Sequence, residues 1–371
     1  MKIGVPKEIK NHEYRVGVTP GGVKELIGHG HTVTVEKNAG TRIGFSDADY
    51  QSAGATLSAS VEDIFQASDM IIKVKEPQEV ECKRLRSGQV LFTYLHLAPD
   101  PKQTELLIKS GAICIAYETV TDDMGGLPLL APMSEVAGRM SIQAGAHYLE
   151  ISHGGSGVLL GGVPGTPAAE VLILGGGVVG INAAKMAVGF GAKVTIVDRS
   201  LPRLRYLDDI FMGRVQLLYS TAAVIDEMSA KADLIIGGVL VPGASAPKLI
   251  QKKHLAKMKK GSVVVDVAID QGGCFETSHA TTHQDPVFEV DGIVHYCVAN
   301  MPGGVSRTST MALSNATLPF AIQLANKGAK QALLDNKHLL NGLNVAYGKV
   351  CYQAVCDSLG HSFTDPLHAL K

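Results

Sequence analysis

Two stretches in which short β-branched runs alternate with helical patterns, followed by a last stretch of helical pattern alone, predict an α/β chain of two doubly wound parallel-sheet domains. The chain of 371 residues is long enough for two domains of ordinary size, each with its own core. One domain is expected to be discontinuous, residues 1–130 plus 306–371, with the other spanning 131–305.

The first alternation places strands near 2–5, 32–36, 70–74, 90–95 and 113–117. Helices are expected over 21–28 and from Ser60 through VEDIFQA, where Val61, Ile64 and Phe65 share a face. Near 130–134 Pro132 is expected to break the chain, and Ser134 is placed to cap the helix EVAGRMSIQAGAHYLE. The second alternation gives strands near 171–174, 193–197, 215–219, 234–237, 262–269 and 293–298. After NMPGGVSRTS the pattern is helical only, with Met311, Leu313, Leu318, Phe320, Ile322 and Leu324 available for a buried face. Helices alone cannot make a sheet domain, so these are expected to pack back onto the first segment and complete it.

Gly175, Gly177 and Gly180 stand in GxGxxG spacing after the apolar run VLIL. They open a helix with Ile181, Ala184, Ala187 and Phe190 on its inner side, and a second strand follows Gly191. In that context the triplet marks a Rossmann NAD-binding domain: one glycine for the tight turn, one for backbone approach to a pyrophosphate, one for helix-on-strand packing. The helix N-terminus offers free N–H groups to phosphate. Asp198 ends the next strand 18 residues after Gly180, where a carboxylate accepts ribose hydroxyls and repels a 2′-phosphate. This favours NAD over NADP, although Arg199 and Arg203 nearby can welcome the phosphate.

Composition removes other classes. Apolar residues at 46% and charged residues at 19% exclude a disordered chain. A net charge of -1, with no long Lys/Arg run, leaves no electrostatic footprint for nucleic acid or anionic membrane. The opening MKIGVPKEIK lacks the apolar core of a signal peptide, and the apolar run 171–184 is too short and glycine-rich to span a bilayer. Cys82, Cys114, Cys274, Cys297, Cys351 and Cys356 form no CxxC pair, which fits reduced thiols and a cytoplasmic protein. His279 and His283 have i,i+4 spacing but sit in a polar Thr-rich stretch with no third ligand in register. They read as a solvated loop, and no metal is expected.

Polar residues gather where ligands bind in open α/β sheets, beyond the carboxyl ends of strands. Lys75, His96, Glu118, Asp270 and Asn300 each follow an expected strand, and Arg15 lies after the first. Singly, each has an ordinary reading: Arg15 can pair with Glu13, and a lone His is more often a packing residue. A base, cations and carboxylates recurring at strand ends of one domain, together with a cofactor cradle in the other, favour a functional His96 in a crevice shared by both.

The stretches KIGVPKEIKNHEYRVGVTPGGV, VKEP, TYLHLA, APMSEVAGRMS, GGGVVG and CVANMPGGVSRTST, in this order over nearly the whole chain, resemble the alanine dehydrogenase family and its relative, the NAD-binding subunit of proton-pumping transhydrogenases. The resemblance implies an NAD-dependent oxidoreductase interconverting L-alanine with pyruvate and ammonia. It implies that Arg15 and Lys75 hold the substrate carboxylate and that His96 and Asp270 serve as acid and base. Ser134, Asp198, Arg203, Ser220 and Asn300 are implied as cofactor contacts, with Gly175, Gly177, Val178, Val179 and Gly180 of the glycine loop. Further cofactor contacts are expected at Val239, Leu240, Val267, Ala268, Ile269, Asp270, Val298, Ala299 and Met301. It also implies an assembly of six identical subunits. Tyr94, Leu130, Met133 and Met301 are candidate walls of a methyl-sized pocket, or equally core residues. Two other readings stay open: a transhydrogenase hydride-transfer subunit, which would not need Arg15, Lys75 and His96 in full and would be expected to carry a membrane segment, of which the sequence to Lys371 shows none, and an NAD-binding regulator without catalysis.

Overall fold

The computed structural model describes residues 1–239 and 246–371. The apolar runs of the first stretch fold as β1 (Lys2–Val5), β2 (Thr32–Glu36), β3 (Thr56–Ser58), β4 (Met70–Ile72), β5 (Val90–Thr93) and β6 (Ile113–Ala116). They pair in parallel in the order β3-β2-β1-β4-β5-β6. The second stretch folds as β7 (Glu170–Leu174), β8 (Lys193–Asp198), β9 (Gln216–Tyr219), β10 (Leu234–Gly237), β11 (Val263–Asp266), β12 (Val287–Val290) and β13 (Ile293–Tyr296). Their order is β9-β8-β7-β10-β11-β13-β12, parallel except for β12. In each sheet the order changes direction beside the first strand, between β1 and β4 and between β7 and β10. A doubly wound sheet opens a ligand crevice at such a point.

The chain separates into two compact units, Met1–Met133 with Val305–Lys371, and Ser134–Gly304. In the second, consecutive residues of β7 point to opposite apolar layers: Val171 and Ile173 pack with Ile181, Ala184 and Ala187, while Leu172 and Leu174 pack with Ile235 and Val264. Burial on both faces explains why these strands read as unbroken apolar runs. In the first unit Ile64, Phe65, Ile71, Leu91, Leu107 and Cys114 form the corresponding layer.

Several expectations are corrected. The C-terminal stretch is not all helical: β14 (Leu343–Ala346) pairs antiparallel with β6, and β15 (Lys349–Val350) pairs with β14. Tyr347 and Gly348 join them at φ 50° and 80°, a two-residue turn of the twist hairpins need, with Tyr where Asn or Asp would have announced it. Asp291 and Gly292 turn β12 into β13 in the same way, at φ 51° and 76°. Pro132 does not break the chain. The helix runs Ala131–Tyr148, with Pro132 in its first turn, where no N–H is needed, so Ser134 lies inside the helix and does not cap it. Phe190 is 53% exposed, because the helix Val178–Gly189 has already ended. The helix Ser306–Lys327 buries Ser309, Thr310, Leu313, Ser314, Thr317 and Leu324, while Met311 faces out. Besides Leu313 and Leu324, its inner face is a row of small and hydroxyl side chains, suited to hydrogen bonding and close approach rather than apolar bulk.

Candidate active site

In the first unit, the segments leaving β1 and β4 carry Arg15 and Lys75. Arg15 is buried and grips Glu13 through two bonds, Nε to Oε1 at 2.7 Å and Nη2 to Oε2 at 2.5 Å, so the ion pair left open by the sequence is present. Its Nη1 lies 3.2 Å from Met133 Sδ. Burial opposes the guanidinium charge, but Glu13 more than offsets this and holds Arg15 above its usual value. The hydroxyl face of the helix Ser306–Lys327 fastens the segment: Thr310 Oγ1 accepts the Val16 N–H at 3.2 Å, and Ser314 Oγ accepts that of Thr19 at 3.3 Å.

Behind Lys75 stands a charge network that sequence reasoning missed. Lys73 is fully buried, its Nζ 2.9 Å from Glu8 Oε2 and 2.7 Å from Glu81 Oε1. The other oxygen of Glu8 accepts the backbone N–H groups of Val74 at 2.7 Å and Lys75 at 3.3 Å. Lys73 therefore fixes the carboxylate that fixes the backbone at Lys75. Burial pushes the Glu8 carboxyl up against the pull of Lys73; Lys73 itself stays protonated because Glu8 and Glu81 outweigh its burial. A usable signal was present, since a lysine inside the run MIIKV must find partners if that strand is buried.

His96 follows β5 in the left-handed region at φ 48°, uncommon for a residue other than glycine. Glu118, just past β6, holds it there by accepting the N–H of Leu95 at 3.2 Å and that of His96 at 2.6 Å. The same carboxylate lies 3.8 Å from His96 Nδ1. The imidazole lies parallel to the Tyr94 ring, centroids 5.7 Å apart, and the Tyr94 hydroxyl donates to Leu129 O at 2.6 Å. With its side chain 45% exposed, the imidazole is fixed at its backbone yet open to solutes. Tyr94 and Met133 are buried, and Leu130 is partly so.

In the second unit β7 turns through Gly175 at φ 95° into the helix Val178–Gly189. A Cβ at Gly180 would lie 1.9 Å from Gly175 O, so strand and helix meet too closely for any side chain. Gly177 is different, because a Cβ there meets nothing within 4 Å. The protein's own packing does not demand glycine at 177, and the bare backbone leaves room for a phosphate to approach the N–H groups of Val178 and Val179. Asp198 Oδ2 accepts the Gly176 N–H at 2.7 Å and Oδ1 accepts that of Ser200 at 2.8 Å, leaving each oxygen a lone pair for a ribose hydroxyl. Arg203 Nε donates to Gly176 O and its guanidinium lies over Tyr206, so the side chain braces the loop. Ser220 N donates to Asp198 O at 3.0 Å. These groups fit a dinucleotide.

Val239 flanks Gly175, and Val267 N–H donates to Gly237 O at 3.0 Å. Ala268 leads into the turn Ile269–Gln271, where Asp270 is exposed. Val298 is buried and Ala299 partly so; Asn300 stands at φ 63°, its carbonyl accepting the Gly303 N–H at 2.9 Å. Met301 is buried among Tyr296 and Val298, as core. Leu240 lies outside the described residues. His279 and His283 are not simply solvated: His279 stacks on Phe288 at 3.7 Å and His283 Nε2 is 3.1 Å from Asn300 O, because the unexpected hairpin of β12 and β13 supplies a surface for them. Among the described residues, no helix is long and apolar enough to cross a membrane.

Strand order and loop chemistry define the class: an α/β chain of two Rossmann-like units, one bearing a glycine-rich turn of the dinucleotide-binding type. Models of the alanine dehydrogenase/PNT N-terminal and C-terminal domains match residues 4–137 and 141–353. The alanine dehydrogenase of Halomonas elongata is 60% identical over 98% of both chains, and that of Bacillus subtilis is 55% identical over 100% of this chain and 98% of its own. A solved L-alanine dehydrogenase superposes with a TM-score of 0.94 at 52% identity, covering 97% of this chain and 99% of its own. A transhydrogenase from Sinorhizobium meliloti superposes with a TM-score of 0.83 at 25% identity, covering 94% and 100%. The chain belongs to the alanine dehydrogenase/PNT family.

Proposed function

We infer that the chain catalyses the NAD-dependent, reversible oxidative deamination of L-alanine to pyruvate and ammonia. The observation that carries this reading is the imidazole of His96, held in a left-handed backbone by Glu118 on the same strand-end rim as the two cations Arg15 and Lys75.

Arg15 and Lys75 bind the substrate carboxylate by charge-assisted hydrogen bonds. Fixing the amino acid in a reactive orientation is worth about 7–11 kcal/mol of barrier, so binding geometry is itself a catalytic term. Hydride leaves Cα more readily beside a neutral amine. The imidazole of His96 serves as general base and accepts the ammonium proton. NAD, when bound by the glycine loop and Asp198, supplies the hydride acceptor. After hydride loss water attacks the resulting iminium; His96, having passed its first proton to solvent, deprotonates that water and hands the proton to the departing amine, the hydroxyl proton leaves as C–N cleavage gives pyruvate and ammonia, and Asp270 shares the proton traffic. Lys75 stabilises negative charge developing on oxygen. An apolar wall distinguishes one methylene by only about 1–3 kcal/mol, so discrimination against slightly larger amino acids is modest.

Identity of 52–60% to alanine dehydrogenases against 25% to the transhydrogenase favours amino-acid chemistry over hydride exchange between nucleotides. The reading includes a cytoplasmic assembly of six subunits, for which light scattering should return six times the 39.1 kDa chain mass. The deciding assay is NADH formation at alkaline pH on addition of L-alanine, with L-serine, glycine and NADP as controls. Absence of NADH with L-alanine would remove the proposal.

A further inference from the structure

The helix Ala131–Tyr148 does not finish in a simple cap. Its end passes into three-residue steps: Glu150 N–H donates to His147 O at 3.2 Å, and His153 N–H donates to Glu150 O at 3.0 Å, the latter leading through the 3₁₀ segment Ile151–His153. Residues three apart eclipse one another in such geometry. The sequence HYLEISH therefore stacks His147, Glu150 and His153 on one side of the chain.

The side chains converge accordingly. A ligand atom from each lies within 4.8 Å of the other two. His147 Nδ1 is 3.8 Å from one Glu150 oxygen, His153 Nδ1 is 3.4 Å from the other, and the imidazole centroids are 3.8 Å apart. The frame beneath is fixed, since Leu149 is fully buried, its carbonyl accepts the Gly157 N–H at 2.8 Å, and Ser156 N–H donates to Gly261 O at 2.9 Å.

We propose that His147, Glu150 and His153 bind one divalent transition-metal ion, with zinc as its representative. Two imidazoles and a carboxylate are a donor set zinc accepts, and water completes the fourth position. Magnesium and calcium are poorly served, because they require several oxygen ligands. The carbonyl end of the helix adds a field that favours a cation. The ion ties the helix end to the turn that follows. The cysteines do not compete: burial pushes Cys82, Cys274 and Cys297 up to about 12.

The test is titration of tag-free, full-length protein with zinc against a chromophoric chelator, together with thermal melting. One zinc per chain and a raised melting temperature are expected. His147→Ala, Glu150→Gln and His153→Ala should each weaken binding by at least the roughly tenfold lost when a supporting partner of a metal ligand is removed. The double variant H147A/H153A should show no zinc-dependent rise in melting temperature. Failure of the parent protein to retain zinc against the chelator, or equal retention by the double variant, would overturn the assignment.

Discussion

The two sheets repeat one strand order, yet their carboxyl ends are equipped in opposite ways. In the first unit the strand-end groups are tied to carboxylates: Arg15 to Glu13, Lys73 to Glu8 and Glu81, and the His96 backbone to Glu118. In the second they are mainly backbone, with glycines clearing the approach to a helix N-terminus and one carboxylate, Asp198, bracing the turn. A small, charged substrate offers few atoms, so it must be met by fixed charged groups. A dinucleotide offers phosphates and ribose, which N–H groups and a carboxylate can meet without bulk. On the proposed function, one order of parallel strands serves two recognition problems because its strand ends are equipped differently.

The largest expected effect breaks the first half of the comparison. His96→Ala should cost roughly 10²–10⁴-fold in turnover, the range for a positioned acid–base group, while NADH affinity measured by fluorescence stays unchanged. Next comes the buried network. Lys73→Met leaves Glu8 and Glu81 buried without their cation, and denaturant unfolding should show a loss of about 3–5 kcal/mol. On the backbone side, Gly180→Ala forces a Cβ against the Gly175 carbonyl and should cost about 1–3 kcal/mol of stability, read from the same unfolding curves.

The smallest effect is a pH dependence in the second unit. Burial holds the His295 imidazole below its ordinary value, with Nδ1 2.9 Å from Ile293 O and Nε2 2.8 Å from Thr277 Oγ1. Below an unfolded value of about 6.5 the unfolded chain binds a proton that the folded one refuses. The contribution of His295 is therefore complete above that pH and declines as pH falls toward the folded value. His295→Gln should flatten this part of the melting-temperature profile between pH 8 and 5; an unchanged profile would exclude His295 as its source.

Much of this arrangement was legible in the sequence, and the exceptions have physical causes. Buried parallel strands announce themselves as apolar runs, and Gly175, Gly177 and Gly180 are readable because strand and helix flank them. The edge strands β12 and β15 are short and partly exposed, so their apolar signal is weak, and β14, though buried, is a four-residue run interrupted by Asn344; only the turn DG at 291–292 offered a cue. The place of His96 at a strand end could be read, whereas its left-handed backbone could not, because Glu118 that imposes it stands 22 residues away. Likewise Lys73 and Glu8 are 65 residues apart, and no local pattern joins them. On the inner face of the helix Ser306–Lys327, Leu313 and Leu324 were readable, whereas Ser309, Thr310, Ser314 and Thr317 escaped because apolar periodicity is blind to hydroxyls that serve as hydrogen-bond acceptors.

The most direct test sets one residue from each unit against the other. Lys75→Met and Gly177→Ala are compared by the KM for L-alanine and by the Kd for NADH. The division of labour predicts that Lys75→Met raises the KM for L-alanine and leaves the NADH Kd unchanged. Gly177→Ala should weaken NADH binding in a protein that melts as the parent does, since its new methyl meets no protein atom within 4 Å. Loss of NADH affinity in Lys75→Met, or unaltered affinity in Gly177→Ala, would contradict it.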